Sequence, residues 1–308
     1  MKEYINLFIK GVAMGTANII PGVSGGTIAL ITGIFERLIN AIKSFNLKAL
    51  RFLLKGDFNG FIKHTDLVFL LILFAGVGFA IISLAKIFDY LFKEYPIYIW
   101  SYFFGLILAS VYFVGRTVSK WTVATIVAFV LGSGFAIALT FMNPATENSN
   151  FIYLIICGVA AVCSMILPGI SGSFILILMG NYQLVAIDAI NNLRFDILLP
   201  VLIGAAFGLL GFSYLLSWIF KKFRDQTIAL LTGFILGSLG IIWPWKKVVY
   251  MLDAAGNIAL KKGEPIVAKY LITAPQSFDM EFFVAVLIMI IGIASIWFIE
   301  KQAASGSN

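Results

Sequence analysis

Long apolar runs separated by isolated charges set the pattern of the chain. No formal charge interrupts Leu67 to Ala85 or Tyr95 to Gly115. The same holds for Trp121 to Thr146, Ile197 to Phe220, Gln226 to Trp245 and Phe282 to Ile299. Each run offers about the twenty residues that a helix needs to cross ~30 Å of hydrocarbon, and each is far longer than a ~10-residue barrel strand. Six transmembrane helices are predicted.

Two further apolar stretches behave differently. Gly11 to Phe35 is broken at Pro21-Gly22-Val23-Ser24-Gly25-Gly26, and Asn148 to Ile187 at Pro168-Gly169-Ile170-Ser171-Gly172-Ser173. Proline and glycine end a helix, and the serine can cap the next one. The second stretch is too long for a single span. Both read as re-entrant hairpins, over 4–43 and 148–190: a helix enters, breaks at the PGxSG turn, and a second helix leaves.

The hairpins are copies of one another. Gly11–Gly33 and Gly158–Gly180 agree at ten positions, among them Pro21/Pro168, Gly22/Gly169, Ser24/Ser171 and Gly25/Gly172. Gly105 to Ser110 echoes Gly233 to Ser238, and Asp66 matches Asp196. The predicted fold is therefore an all-α integral membrane protein built as an internal repeat. Residues 1–146 hold one hairpin and three spans, and residues 147–308 the second set with an outer loop over 246–281. A unit with an odd number of crossings places its copy upside down, so the repeat is expected to be inverted, a recurring transporter architecture.

Composition supports the membrane assignment: 61% of residues are hydrophobic and 12% are charged. A soluble domain carries roughly 25% charged residues. The net charge of +7 reads as loop charge and attraction to anionic headgroups, with no nucleic-acid partner implied. Fourteen basic residues fall on the side that holds both termini, against eight on the other. That bias places both termini of this multi-pass protein in the cytoplasm. No cleavable signal is expected after Met1-Lys2-Glu3, and the last six residues read as a disordered tail.

Reactive side chains are scarce. The single histidine, His64, lies in a basic loop, and Cys157 and Cys163 sit in an apolar helix at a spacing that suits small core residues, so no metal or other cofactor is predicted. Chemistry is instead expected at the breaks. Ser24, Gly25, Gly26 and Thr27 in one copy, and Ser171, Gly172 and Ser173 in the other, open a helix whose first N–H groups lack intrahelical partners. Glycine admits a ligand close to the backbone, and the helix dipole favours an anion. Two such ends brought together form a site for a phosphate or carboxylate. The plainer alternative is that the breaks only turn the hairpins and let helices pack closely.

Glu36 and Arg37 close the first hairpin, where Gln183 is the counterpart of Glu36, and Arg116 ends the second span. Each is a candidate headgroup contact or gate, against a plain interfacial anchor. Thr16, Asn18, Thr27 and Thr32 line the first hairpin and serve either a ligand or the broken backbone. Lys43–His64 alternates leucine and phenylalanine with Lys48, Arg51, Lys55 and Lys63, the pattern of an interfacial amphipathic stretch. Turn signals at Ala255-Gly256-Asn257 and Lys262-Gly263-Glu264 suggest a small cap in the outer loop.

The segments GVAMGTANIIPGVSGGTIALITGIFERLINAI at 11–42, FFGLILAS at 103–110 and GVAAVCSMILPGISGSFILILMGNYQ at 158–183 resemble the polyprenyl-phosphate transporter (PopT) family. The resemblance covers roughly residues 3–300. The second copy departs where Gly26 becomes Ser173 and Thr27 becomes Phe174. The resemblance implies a flippase of the cell's inner (cytoplasmic) membrane that returns undecaprenyl phosphate to the inner leaflet for cell-wall biogenesis, with a polyprenyl phosphate lipid and membrane lipids as partners. Two alternatives share parts of the pattern. Undecaprenyl-pyrophosphate phosphatases also use re-entrant hairpins and a PGxSRS-type motif, but glycine (Gly25, Gly172) stands here where arginine is needed, and no intramembrane histidine is present. A secondary transporter of a small organic anion would keep the same site but close it from lipid.

Overall fold

The computed structural model describes residues 2–19, 24–142, 144–250, 260–261, 264–265, 267–275 and 277–305. The first hairpin opens with α1 (Lys2–Ile19) and continues past the break as α2 (Gly25–Ile31) and α3 (Phe35–Lys43). The turn at Pro21-Gly22-Val23 lies outside the described residues. At Thr32–Gly33 the chain bends by 117° between α2 and α3, and Gly33 takes a left-handed φ of 71° there. Next come the short helices α4 (Leu47–Leu54) and α5 (Phe58–Thr65), then α6 (Leu67–Glu94), α7 (Pro96–Gly115) and α8 (Val123–Phe141).

The second half repeats the order. α9 (Phe151–Ile166) precedes the break and α10 (Gly172–Leu178) follows it. A π-helical turn, Gln183–Asp188, leads through α11 (Ala189–Asn191) to α12 (Phe195–Lys222) and α13 (Arg224–Ser238). Among the described residues, the loop after α13 carries two small antiparallel ladders, β1 (Lys246–Tyr250) with β4 (Val267–Ile272) and β2 (Leu260–Lys261) with β3 (Glu264–Pro265). The first expected turn, Ala255-Gly256-Asn257, lies outside the described residues. α14 (Met280–Ser305) closes the chain. Half of the stretch expected as a tail is thus helical, and 306–308 lie outside the described residues.

Among the described residues, five helices are long and apolar enough to span a membrane: α6, α7, α8, α12 and α14. Counting bent α2 and α3 as one broken span makes six. The expected span Gln226–Trp245 is shorter than the sequence suggests, because α13 stops at Ser238 after 15 residues. Gly240 and Pro244 follow, and β1 starts at Lys246. At 1.5 Å per residue α13 covers about 22 Å. Most of its residues are buried, between α7 and α8, so protein rather than lipid surrounds it.

Helix packing follows the repeat. α1 pairs with α6 and α9 with α12, while α7 pairs with α14 and α13 with α8 across the halves. Matched contacts seat each pair. Gly11 lies against the Leu73 carbonyl and Gly76 against that of Phe8; Gly158 lies against the Val201 carbonyl and Gly204 against that of Ile155. With no side chain between them the backbones approach closely, as membrane helices do at small residues.

Candidate functional site

α2 begins at a capped end. Ser24 is extended (φ −112°, ψ 134°), and its hydroxyl accepts the Gly26 N–H at 3.1 Å. Asn18 Oδ1 accepts the Gly25 N–H at 2.8 Å, and the Ser24 carbonyl accepts the Thr27 N–H at 3.0 Å. The Gly25, Gly26 and Thr27 N–H groups, which a helix N-terminus leaves without intrahelical partners, therefore have acceptors within the chain. The end is also covered: Ser24 is 2% exposed and Thr27 0%.

The cover is the second break. The Ser24 hydroxyl lies 3.1 Å from the Leu167 carbonyl oxygen and 3.2 Å from that of Met165, and donates its one proton to this pair. Thr27 Oγ1 accepts the Gly169 N–H at 3.0 Å. Gly26 faces the Ile166 carbonyl so closely that a methyl group there would stand 2.5 Å from the oxygen. Gly169 makes the turn with φ +83°, a left-handed backbone suited to glycine. The two motifs thus meet, but the serine end of the first touches the proline-glycine side of the second.

α10 presents a different end. Ser171 caps it, accepting the Phe174 N–H at 3.2 Å, and its hydroxyl lies 3.2 Å from that of Ser173. Ser171 is half-buried, Gly172 buried and Ser173 exposed. The place of Asn18 is taken by Met165, whose side chain packs beside Gly172 and offers no oxygen to its N–H.

The charged candidates lie apart from both breaks. Arg37 makes a bidentate pair with Asp66, Nε to Oδ2 at 2.6 Å and Nη2 to Oδ1 at 3.0 Å, and its guanidinium sits 4.3 Å over the Phe69 ring. Glu36 accepts from Arg224 at 3.3 Å. Arg116 caps the end of α7, exposed, 5.5 Å over the Phe113 ring. Phe113 also lines an open apolar trough of about 530 Å³ with Leu108, Ala109, Val111, Tyr112 and Ile293. Among the described residues, no hydrogen bond or ion pair joins Glu36, Arg37 or Arg116 to Ser24–Thr27 or Ser171–Ser173.

Several participants carry no signal in the sequence. Lys10 Nζ donates to the Thr32 carbonyl at 2.8 Å, holding the C-terminus of α2. Lys43 and Asn40 of α3 reach Ser217 of α12 at 3.2 and 3.0 Å. Asp66 stood out only as a repeat match, not as the partner of Arg37. Thr16 and Thr32 return their hydroxyls to the Val12 and Ile28 carbonyls, so they serve the backbone. His64 contacts Asn46 at 3.3 Å and packs on Phe52, joining α4 to α5. Cys157 is buried, Cys163 half-buried, and both are free.

With this geometry in hand, comparison with known proteins is informative. A family described as undecaprenyl phosphate translocase-like (VCA0040-like) matches residues 14–260. A polyprenyl-phosphate transporter of Vibrio cholerae serotype O1 is 38% identical over 305 residues, covering 98% of this chain and 97% of that protein. A polyprenyl-phosphate transporter of Staphylococcus aureus is 32% identical over 271 residues, covering 79% and 87%. No solved structure matches.

Proposed function

The chain belongs to the polyprenyl-phosphate transporter family, and from that premise we propose that it carries polyprenyl phosphate, undecaprenyl phosphate in the cell, across the membrane without altering it. It is a multi-pass membrane protein and a transporter, not an enzyme. The direction proposed is from the outer to the cytoplasmic leaflet, with both termini in the cytoplasm.

The observation that carries the mechanism is the contact between the two broken helices, Ser24 with the Leu167 carbonyl and Thr27 with the Gly169 N–H. A phosphate needs donors, and the free end of α10 at Ser171, Gly172 and Ser173 offers backbone N–H groups beside two hydroxyls. The α2 end, Ser24 to Thr27, joins the site only when its bonds to the second break are exchanged for bonds to phosphate. Arg116 and the Glu36–Arg37 corner then meet the headgroup at the membrane face, and the apolar trough beside Arg116 leaves room for the prenyl tail within lipid.

An inverted repeat supports alternating access. In α1 and α6 the contacts of Gly11 with Leu73 and Gly15 with Val77 advance together, as for helices running the same way. Gly204 with Ile155 and Gly208 with Val159 do so in α12 and α9, and Gly233 with Phe129 and Gly237 with Ser133 in α13 and α8. Consecutive spans of a multi-pass chain alternate in direction, so α8 is read as running with α6, and α12 as running against α13. α8 therefore shares the direction of α1, and α12 and α9 oppose it. On this reading the hairpins enter from opposite sides.

Leaflet exposure of polyprenyl phosphate in reconstituted liposomes tests the proposal. Wild type should equilibrate the lipid between leaflets, and Ser171→Arg, which fills the open end of α10, should abolish the exchange while leaving the protein folded. Exchange by Ser171→Arg at the wild-type rate would place the phosphate elsewhere. Cleavage of undecaprenyl pyrophosphate with no movement of the monophosphate would sink the transport reading.

A further inference from the structure

The helices α4 and α5 are the part of the molecule that transport leaves unexplained. Each has eight residues, about 12 Å of helix, too short to cross a bilayer. They are nonetheless well built. Asn46 caps α4 through the Lys48 and Ala49 N–H groups at 2.9 and 3.2 Å, and Asp57 caps α5 through Gly60 at 2.8 Å. Between them Phe52 packs on His64, and Ala49 is buried. Asp66, with a left-handed φ of 49°, ends α5 and starts the membrane-crossing α6, and Arg37 clamps it. The hairpin is thus tied to the start of a helix long enough to span a membrane.

Its outer side is apolar and uncovered. Leu47 is 75% exposed, Leu54 78% and Phe58 64%, with Leu50 between them at 50%. On α4, Leu47, Leu50 and Leu54 fall on one face at helical spacing, and Lys48, Arg51 and Lys55 fall on the adjoining edge. Among the described residues no ion pair ties these three cations to a carboxylate. An apolar face with a basic edge, lying where a chain enters the membrane, matches the chemistry of an anionic lipid surface.

We propose that the α4–α5 hairpin is an interfacial lipid-binding element, seating Leu47, Leu50, Leu54 and Phe58 among acyl chains and taking anionic phospholipid headgroups on Lys48, Arg51 and Lys55. The occupant is the bilayer surface, and binding here is independent of the transport site, so either proposal can fail alone. Each basic residue near an anionic surface contributes about a fivefold gain in binding, screened by salt.

Hydrogen exchange of the full-length protein in nanodiscs tests this directly. Amides of 48–55 should exchange about tenfold more slowly in discs containing phosphatidylglycerol than in discs of phosphatidylcholine alone. The variant Lys48→Gln/Arg51→Gln/Lys55→Gln should lose that difference, and Leu47→Ser/Leu50→Ser/Leu54→Ser should exchange fast in both. Unchanged exchange in α12 shows that each variant is folded. Equal rates for wild type in both discs would overturn the proposal, as would a phosphatidylglycerol effect that survives the triple glutamine variant.

Discussion

The two breaks share a sequence motif and differ in every physical respect that matters to a ligand. At the first, Asn18 supplies an oxygen to Gly25, Ser24 and Thr27 are buried, and the second break covers both. At the second, Met165 replaces the amide, Phe174 replaces the threonine and Ser173 faces out. One copy is a latch and the other an open end. A duplicated anion motif therefore does not by itself make a duplicated anion site, because its N–H groups bind a ligand only where nothing in the chain already accepts from them. On the proposed mechanism the latch also has a use, since it holds together two hairpins that alternating access would part.

The largest expected effect lies at the closest approach. Gly26→Ala puts a methyl group 2.5 Å from the Ile166 carbonyl, a backbone atom that cannot swing aside. Overpacking of this kind costs about 1–3 kcal/mol or more. Gly169→Ala adds backbone strain at φ +83° to a contact of 2.7 Å with the Phe234 carbonyl. Both should lower the thermal midpoint by several degrees and reduce the folded yield. The matched change in the other copy, Ser173→Ala, should leave the midpoint unmoved and slow lipid exchange instead. If all three behave alike, the contrast between the breaks is wrong.

Next comes the latch bond itself. Thr27→Val keeps the volume but strands the Gly169 N–H in a buried site, a loss of about 1–3 kcal/mol. Its counterpart Phe174 makes no such bond, so Phe174→Leu should cost less by the same measurement. Met165→Asn sharpens the comparison from the opposite side. An amide at that position would accept the Gly172 N–H as Asn18 accepts that of Gly25. We expect stability within about 1 kcal/mol of wild type and lipid exchange slowed severalfold. Exchange at the wild-type rate would show that the α10 end does not meet the phosphate.

Much of this was legible in the sequence and some was not, for identifiable reasons. Charge-free runs gave five spans, because crossing a bilayer demands length and apolarity that any reader can count. The sixth, α13, was misjudged in length, since a helix surrounded by protein is released from the bilayer thickness. The PGxSG motifs located the breaks, and the serine caps formed at Ser24 and Ser171. What the motifs could not tell was which end is covered. That follows from Asn18 against Met165, a difference visible in the alignment of the copies but without meaning until the folded chain sets it beside Gly25 and Gly172. The partners of Glu36 and Arg37 were hidden for a similar reason: Arg224 and Asp66 are distant in sequence.

The smallest effect concerns the corners where α6 and α12 begin. Asp66 is paired bidentately with Arg37 from α3, and the matched Asp196 is paired at 3.0 Å with Arg194, which also reaches Asp188 at 2.9 Å. The first pair joins α3 to the start of α6, and Arg37 also stacks on Phe69. The second joins residues close in sequence. Both are exposed, and exposed pairs contribute about 0–1 kcal/mol. Geometry favours the first, because lysine cannot reproduce a guanidinium fork stacked on a ring. Arg37→Lys should therefore lower stability by about 0.5–1 kcal/mol, and Arg194→Lys by less, with the difference shrinking in high salt. Equal losses would mean that Arg37 anchors no more than its own side chain. A larger loss for Arg37, together with faster exchange in the amides of α4 and α5, would identify the Arg37–Asp66 pair as the clamp that ties the α4–α5 hairpin to α3.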